Sequence, residues 1–229
     1  MSTHEIDQAD VVFHSDQVTI FRFTLGPFET NCYVVAQNAG DTRHCSIIDA
    51  SFEPGTMIDF VRLQGFTPDE LILTHAHIDH IAGVRDVRAA FANTPILIHT
   101  DERDWLTDPQ LNMSASYGLP VTTPSADRLL NHNDTLDIAG LTWDVRHTPG
   151  HSPGSVSLYN KDTGVCIAGD ALFAGSIGRT DFPSSNHNDL IDAITRELYT
   201  LPDDTLVLPG HGPETTIGTE KHTNPFVRA

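Results

Sequence analysis

Leu71-Ile72-Leu73-Thr74-His75-Ala76-His77-Ile78-Asp79-His80 decides how the rest of the chain is read. An apolar run of the kind that makes a buried strand leads into four potential metal ligands within six residues, His75, His77, Asp79 and His80. His75 and His77 stand two apart, so they share no face of a helix. They share one face of a strand, or they converge from a loop that leaves one. Asp79 and His80 are adjacent and point in different directions. One ion collecting all four donors needs a contorted backbone, and two ions side by side do not. That division gives His75 and His77 to one ion and Asp79 and His80 to the other. Imidazole and carboxylate donors suit zinc, with iron or manganese as other divalent candidates. The bland alternative is a polar loop that happens to be rich in histidine.

Three later positions weaken that alternative by repeating one pattern, an apolar strand followed by a polar side chain beside glycine. His151 sits in Thr148-Pro149-Gly150-His151-Ser152-Pro153-Gly154. Asp170 ends Cys166-Ile167-Ala168-Gly169-Asp170, and His211 lies in Leu206-Val207-Leu208-Pro209-Gly210-His211-Gly212. Glycine lets the backbone approach closely, and a polar residue launched from a buried strand is well placed for a rigid site. Singly, each also reads as a turn residue or a loop cap. Joined to the opening motif they complete two coordination shells. His75, His77 and His151 hold the first ion, Asp79, His80 and His211 the second, and the two oxygens of Asp170 make it the natural bridge. His147 lies inside a strand run and reads as structural. His4, His14, His44, His99, His132, His187 and His222 match no ligand position, and most read as exposed or locally hydrogen-bonded.

Around these residues the pattern alternates short strands with a few helices. Residues 1–16 are polar and acidic and read as loose chain or a short edge strand. Strands are expected over Val18–Thr24, Asn31–Ala36 and Cys45–Ile48, with turns at Gly26-Pro27 and Asn38–Asp41. Asp49 ends the third strand and either orients a metal ligand or caps a loop. A helix over Thr56–Gln64 precedes the strand Leu71–Thr74. Val84, Val87 and Phe91 form the buried stripe of a helix over Ile81–Ala92. The strand Ile96–Ile98 and a short helix over Asp101–Leu106 follow. Thr107–Asp127 is rich in Pro, Ser, Thr and Gly and reads as a long loop, of a length that is often functional, bordering the substrate entrance. The second half gives strands over Thr135–Ile138, Leu141–His147, Ser155–Tyr159, Val165–Ala168 and Leu206–Leu208, and a helix over His187–Tyr199. The expectation is an α/β fold of two sheets packed face to face between helical layers. The metal motif then lies between a strand's carboxyl end and a helix, where ligands gather in such sheets.

Composition narrows the function classes. The chain has 229 residues, 39% of them hydrophobic and 19% charged, which is ordinary for a globular protein and enough for a substantial core. A formal net charge of -18 argues against nucleic acid and against anionic membranes as partners. Cys32, Cys45 and Cys166 are scattered, follow or sit in apolar runs and have no metal-finger spacing, so buried free thiols are expected. No secretion signal opens the chain and no run approaches the length of a membrane span. The expected compartment is the cytoplasm.

The ordered set from Thr74 to His80, then His151, Asp170 and His211, resembles the metallo-β-lactamase superfamily. Aspartate at position 170 resembles the glyoxalase II branch. Gly178-Arg179-Thr180-Asp181-Phe182-Pro183 and the tail from Pro209-Gly210-His211-Gly212-Pro213 through Asn224-Pro225-Phe226 resemble the small, single-domain glyoxalase II-like hydrolases. The resemblance implies a four-layer αβ/βα sandwich over residues 1–229, with a dinuclear site at one edge of both sheets. Full-size glyoxalase II carries a further helical domain with glutathione contacts. Here 18 residues follow His211, so glutathione recognition is not implied.

The activity implied is hydrolysis of a small-molecule thioester such as S-lactoylglutathione. Two ions share a hydroxide made available near neutral pH and polarise the carbonyl. Asp79 binds its metal and orients the hydroxide. Arg179, soon after Asp170, contacts an anionic part of the substrate or forms an ion pair with a neighbouring acid. One rival is a persulfide dioxygenase, which shares the scaffold and a similar Gly-Arg-Thr-Asp-Phe segment. It would use a single iron on His75, His151 and Asp170, a triad that leaves positions open for oxygen. Other rivals are a non-catalytic binding module, or hydrolysis of a lactone, phosphodiester or β-lactam, among which fold alone does not choose.

Overall fold

A computed structural model describes residues 9–38 and 43–228. The edge strand β1 (Asp10–His14) opens a seven-stranded sheet, and β2 (Val18–Leu25), β3 (Thr30–Gln37), β4 (His44–Ile48), β5 (Thr67–Ile72), β6 (Ile96–His99) and β7 (Arg128–Leu130) follow in sequence order. β1 to β4 pair antiparallel, and β4, β5 and β6 pair parallel. β4 and β6 are short apolar runs that are almost wholly buried, as strands covered on both faces must be. The second sheet contains β8 (Thr135–Ile138), β9 (Leu141–His147), β10 (Val156–Asn160), β11 (Val165–Gly169), β14 (Leu206–Pro209) and β15 (Thr215–Thr216). A small hairpin joins β12 (Leu172–Phe173) to β13 (Ser176–Ile177).

The chain divides into two compact units. The first comprises 1–98, 103–129 and 138–140, and the second 99–102, 130–137 and 141–229. In the first, α1 (Gly55–Leu63) buries Met57, Ile58, Phe60 and Val61, and Phe60 meets Phe21 and Phe23 at ring distances of 4.7 and 5.3 Å. In the second, Leu190, Ile194, Leu198, Ile217 and Val227 join the buried faces of β11 and β14. Cys32, Cys45 and Cys166 are free and buried, as expected, and burial pushes the Cys45 and Cys166 thiols up to about 12.

Several boundaries differ from expectation for local reasons. The single helix over Ile81–Ala92 is two pieces, α2 (Ile78–Ile81) and α3 (Val84–Ala90). Between them Gly83 donates its N–H to Ala50 O at 2.8 Å, and a Cβ there would lie 2.2 Å from Ser51 O. That backbone approach breaks the helix. β5 begins at Thr67, through Pro68, where the register with β4 shifts. β6 pairs β5 only from Leu71, so the missing N–H of Pro68 costs no bond on that side. Asp101–Leu106 is a 3₁₀ turn over Thr100–Glu102 followed by turns. The helix over His187–Tyr199 is α4 (His187–Ala193) continued by a π turn, Ile194–Leu198. β7, the small hairpin, β15 and α5 (Ile217–Thr223) were not anticipated. The turn at 38–41 and His4 fall largely or wholly outside the described residues.

Candidate metal centre

In the first unit, β4 and β5 run parallel, so Asp49 and the segment Leu73–His80 leave the same end of the sheet. His75, His77 and His80 are buried, and Asp79 is 14% exposed at its side chain. The His75 ring centroid lies 4.8 Å from that of His77 and 4.1 Å from that of His80. His80 Nε2 lies 3.4 Å from Asp79 Oδ2. This unit therefore brings the motif's four predicted donors together.

Asp49 settles one open alternative. Its Oδ1 accepts from Thr74 N at 2.8 Å, and its Oδ2 accepts from Thr74 Oγ1 and His80 Nδ1, each at 2.8 Å. It orients a candidate ligand rather than merely capping a loop. Because the Thr74 hydroxyl proton points to Asp49, its oxygen accepts the Nδ1–H of His75 at 3.1 Å. Both histidines are thereby held in the tautomer whose Nε2 carries the lone pair, the form a metal requires. Thr30 Oγ1 donates to Asp79 Oδ2 at 3.0 Å and fixes that carboxylate. Thr30 lies 49 residues from Asp79 and carries no sequence signal, whereas the position of Thr74 between strand and motif could have suggested its role.

In the second unit, β9, β11 and β14 share one direction, since β10 is antiparallel to β9 and β11 and β14 is parallel to β11. His151, Asp170 and His211 therefore leave one end of this sheet. His151 Nε2 lies 3.4 Å and His211 Nε2 3.5 Å from Asp170 Oδ2. One carboxylate oxygen thus faces both imidazoles. His151 Nδ1 donates to the Arg179 carbonyl at 2.8 Å, and a carbonyl only accepts, so Nε2 again carries the lone pair. The His151 turn is braced by Ser185 Oγ donating to His151 O at 2.7 Å and by the buried Glu102, which accepts from Ser152 Oγ and from Gly154 N.

Arg179 serves this unit first through its backbone. Its guanidinium makes two bonds to Asp181, at 2.9 and 2.8 Å, and lies 4.5 Å over the Phe182 ring. That pairing holds the Asp181 carboxyl below its usual range. Arg179 also lines a cleft of about 460 Å³ with Ser176, Gly178, Thr180, His187 and Phe226. His147 Nε2 donates to Pro153 O at 2.8 Å and its ring stacks on His99 at 4.1 Å, and with His99 and Asp101 it forms a further group whose donor atoms lie close together. His99 is buried, and desolvation followed by the nearby His147 lowers its pKa to about 4.

The donor chemistry of these groups fits a divalent ion of borderline softness, neutral imidazoles with Nε2 exposed to coordination and carboxylates beside them. The model for the metallo-β-lactamase superfamily matches residues 25–211, and the chain belongs to that superfamily. It is 41% identical to the probable metallo-hydrolase YqgX of Bacillus subtilis over 207 residues, covering 90% of this chain and 96% of that one. It is 32% identical to hydroxyacylglutathione hydrolase GloC of Haemophilus influenzae, covering 88% and 94%. Among solved structures it is similar to BLEG-1, a B3 metallo-β-lactamase, with TM-score 0.86 and 43% identity over 92% of this chain and all of that one. TTHA1623 in a di-iron-bound form matches with TM-score 0.79 and 35% identity, covering 90% and 100%. ETHE1 from Myxococcus xanthus matches with TM-score 0.72 and 28% identity, covering 90% and 83%. The chain is thus a metallo-hydrolase of this superfamily with its mixed α/β, two-sheet fold. Among the described residues no helix is long and apolar enough to cross a membrane.

Proposed function

We propose that this chain is a dinuclear, metal-dependent hydrolase of small-molecule thioesters such as S-lactoylglutathione. His75, His77 and His151 would hold one ion, Asp79, His80 and His211 the other, with Asp170 between them. What supports this reading is the pinning of His75, His80 and His151 through Nδ1, which leaves the lone pair a metal would need on each Nε2. Zinc, iron and manganese all suit these donors, and the di-iron TTHA1623 structure keeps iron beside zinc. Likeness to GloC supports the thioester reading.

When bound, the two ions supply a water of lowered pKa and polarise the carbonyl. Asp79 would orient that water, and its own carboxylate is held by the Thr30 hydroxyl. Asp49 holds the His80 ring in register by accepting from its Nδ1. A thiolate leaves with little acid assistance, because a thiol has a pKa near ~8.5, so no general acid is needed at the sulfur. The Arg179 cleft offers room for the thiol carrier. There the guanidinium exchanges Asp181 for an anionic group of the substrate.

The test is hydrolysis of a panel of thioesters, lactones, phosphodiesters and β-lactams, each followed by its own product, by protein stripped of metal and reloaded. Thioester turnover that disappears with chelation and returns with divalent metal is expected. Turnover confined to another bond would replace the substrate assignment. A second reading, a mononuclear iron dioxygenase on His75, His151 and Asp170, is supported by the Gly178–Phe182 segment and is compatible with the likeness to ETHE1. Oxygen uptake on glutathione persulfide would favour it.

A further inference from the structure

Three aromatic rings meet at the surface of the first unit and take no part in the chemistry above. Phe28 stacks on Phe52 with ring centroids 6.0 Å apart and meets Tyr117 edge-on at 5.4 Å. Phe28 and Phe52 are half-buried, and Tyr117 is 45% and nearby Leu119 52% exposed. A cluster of exposed apolar groups costs solvation unless something covers it, and such patches mark recognition surfaces.

Each ring comes from a different segment, and each segment is tied separately to the His75–His80 motif. Phe28 lies in the β2–β3 turn, two residues before Thr30, whose hydroxyl donates to Asp79 Oδ2. Phe52 follows Asp49 and Ala50, which hold His80 through Nδ1 and through Ala50 N to His80 O at 2.9 Å. Tyr117 ends the 3₁₀ turn of the 107–127 loop, in which Asn112 O accepts from Ile78 N at 3.0 Å. The turn and Phe52 are also locked together, since a Cβ on Gly26 would lie 2.8 Å from Phe52 Cβ. Three unrelated segments therefore fix one apolar rim to three successive residues of the motif, Ile78, Asp79 and His80.

The charged side chains next to these rings in the chain, Glu29 and Glu53, are exposed acids, so the rim suits neither a carboxylate nor a phosphate of a thiol carrier. We propose that Phe28, Phe52 and Tyr117 recognise the acyl group, and that the preferred substrates are thioesters of apolar acids, alkanoyl or arylalkanoyl, for which lactoyl is a small surrogate. This rests on the thioester reading above. Burial of each added methylene against the rings should then strengthen binding about two- to fourfold.

The test separates recognition from turnover. Alkanohydroxamic acids of two to eight carbons chelate metal at one end and present an alkyl tail at the other, so calorimetric titration of the metal-loaded protein reads the rim without catalysis. The expected result is affinity rising about two- to fourfold per methylene in the wild type, with a flattened rise in Phe28→Ala and in Tyr117→Ala. Tyr117 is exposed on a loop, so its variant should fold. Affinity independent of chain length, or an unchanged rise in both variants, would overturn the proposal. So would a wild-type dimer that dissociates in both variants, because a second copy would then cover the rim. Kinetics on the matching thioesters complete the test. A chain-length rise in hydroxamate affinity with no thioester turnover would leave the rim standing and remove the reaction assigned to it.

Discussion

Asp49 places three hydrogen bonds on two oxygens, and all of them serve the metal motif. Its backbone sits at φ 60, a left-handed position that aspartate tolerates better than most residues. Asp49→Ala removes the acceptor for Thr74 N, Thr74 Oγ1 and His80 Nδ1. Metal affinity should fall about 10- to 100-fold, as for other partners of a ligand histidine. A chelator competition titration measures this, and Asp49→Asn, which keeps the shape without the charge, should fall between. Unchanged affinity in both variants would remove Asp49 from the centre. Asp170 makes a second residue-scale test. Asp170→Ala should lose metal and activity together, because one oxygen faces both His151 and His211. Elemental analysis beside the rate would show full metal retention if that role is wrong. His99 supplies a pH test. Its folded pKa lies near about 4, below the unfolded value of about 6.5, so the unfolded chain takes up a proton that the native one refuses. Stability from this group is present above pH ~6.5 and is lost as pH falls toward ~4, by about 1.4 kcal/mol for each tenfold difference in proton affinity between the two states. Urea unfolding of wild type and His99→Gln at pH ~7.5 and pH ~5 should show the wild type losing more.

The element that holds His151 is a turn whose shape depends on Gly150, at φ 126, where a Cβ would fall 2.2 Å from Leu190 N on α4. No rotamer relieves a clash between Cβ and backbone. Gly150→Ala should therefore destabilise by ~2 kcal/mol or more and should weaken metal binding, measured by denaturant unfolding with and without metal. A change below ~0.5 kcal/mol would mean that the turn adapts freely. Elements of this kind were legible in the sequence where pattern and chemistry coincide. Gly150-His151, Gly169-Asp170 and Gly210-His211 all mark strand ends followed by polar groups, and all three strands lie where the apolar runs place them. The break between α2 and α3 was not legible, because it comes from the close approach of Gly83 to Ser51, far away in sequence. The roles of Thr30 and of the Arg179 carbonyl were hidden for the same reason, since hydrogen bonds across 49 and 28 positions leave no local pattern.

At the scale of the whole molecule, two sheets each deliver candidate ligands from one end. Within its own sheet, the parallel pair β4–β5 brings Asp49 to the same end as the motif it braces, and the parallel pair β11–β14 brings Asp170 and His211 to one end. Sequence patterning reached the two-sheet fold because the buried strands are short apolar runs ended by turn residues. It missed β7, β12, β13 and β15, which are two or three residues long and too short for any periodicity to register. An ion that binds only the folded chain stabilises it by mass action, by about 1.4 kcal/mol for each tenfold excess over its Kd. Thermal unfolding should therefore move upward with added zinc, iron or manganese and back down with chelator. The measurement that bears most directly on a dinuclear thioester hydrolase is the number of ions per chain in fully active, reloaded protein, read by elemental analysis beside thiol release and oxygen uptake on the same sample. Two ions per chain, with activity rising to a maximum at the second equivalent and no oxygen consumed, is the expected result. One iron per chain at full activity, with oxygen uptake on glutathione persulfide, would contradict it.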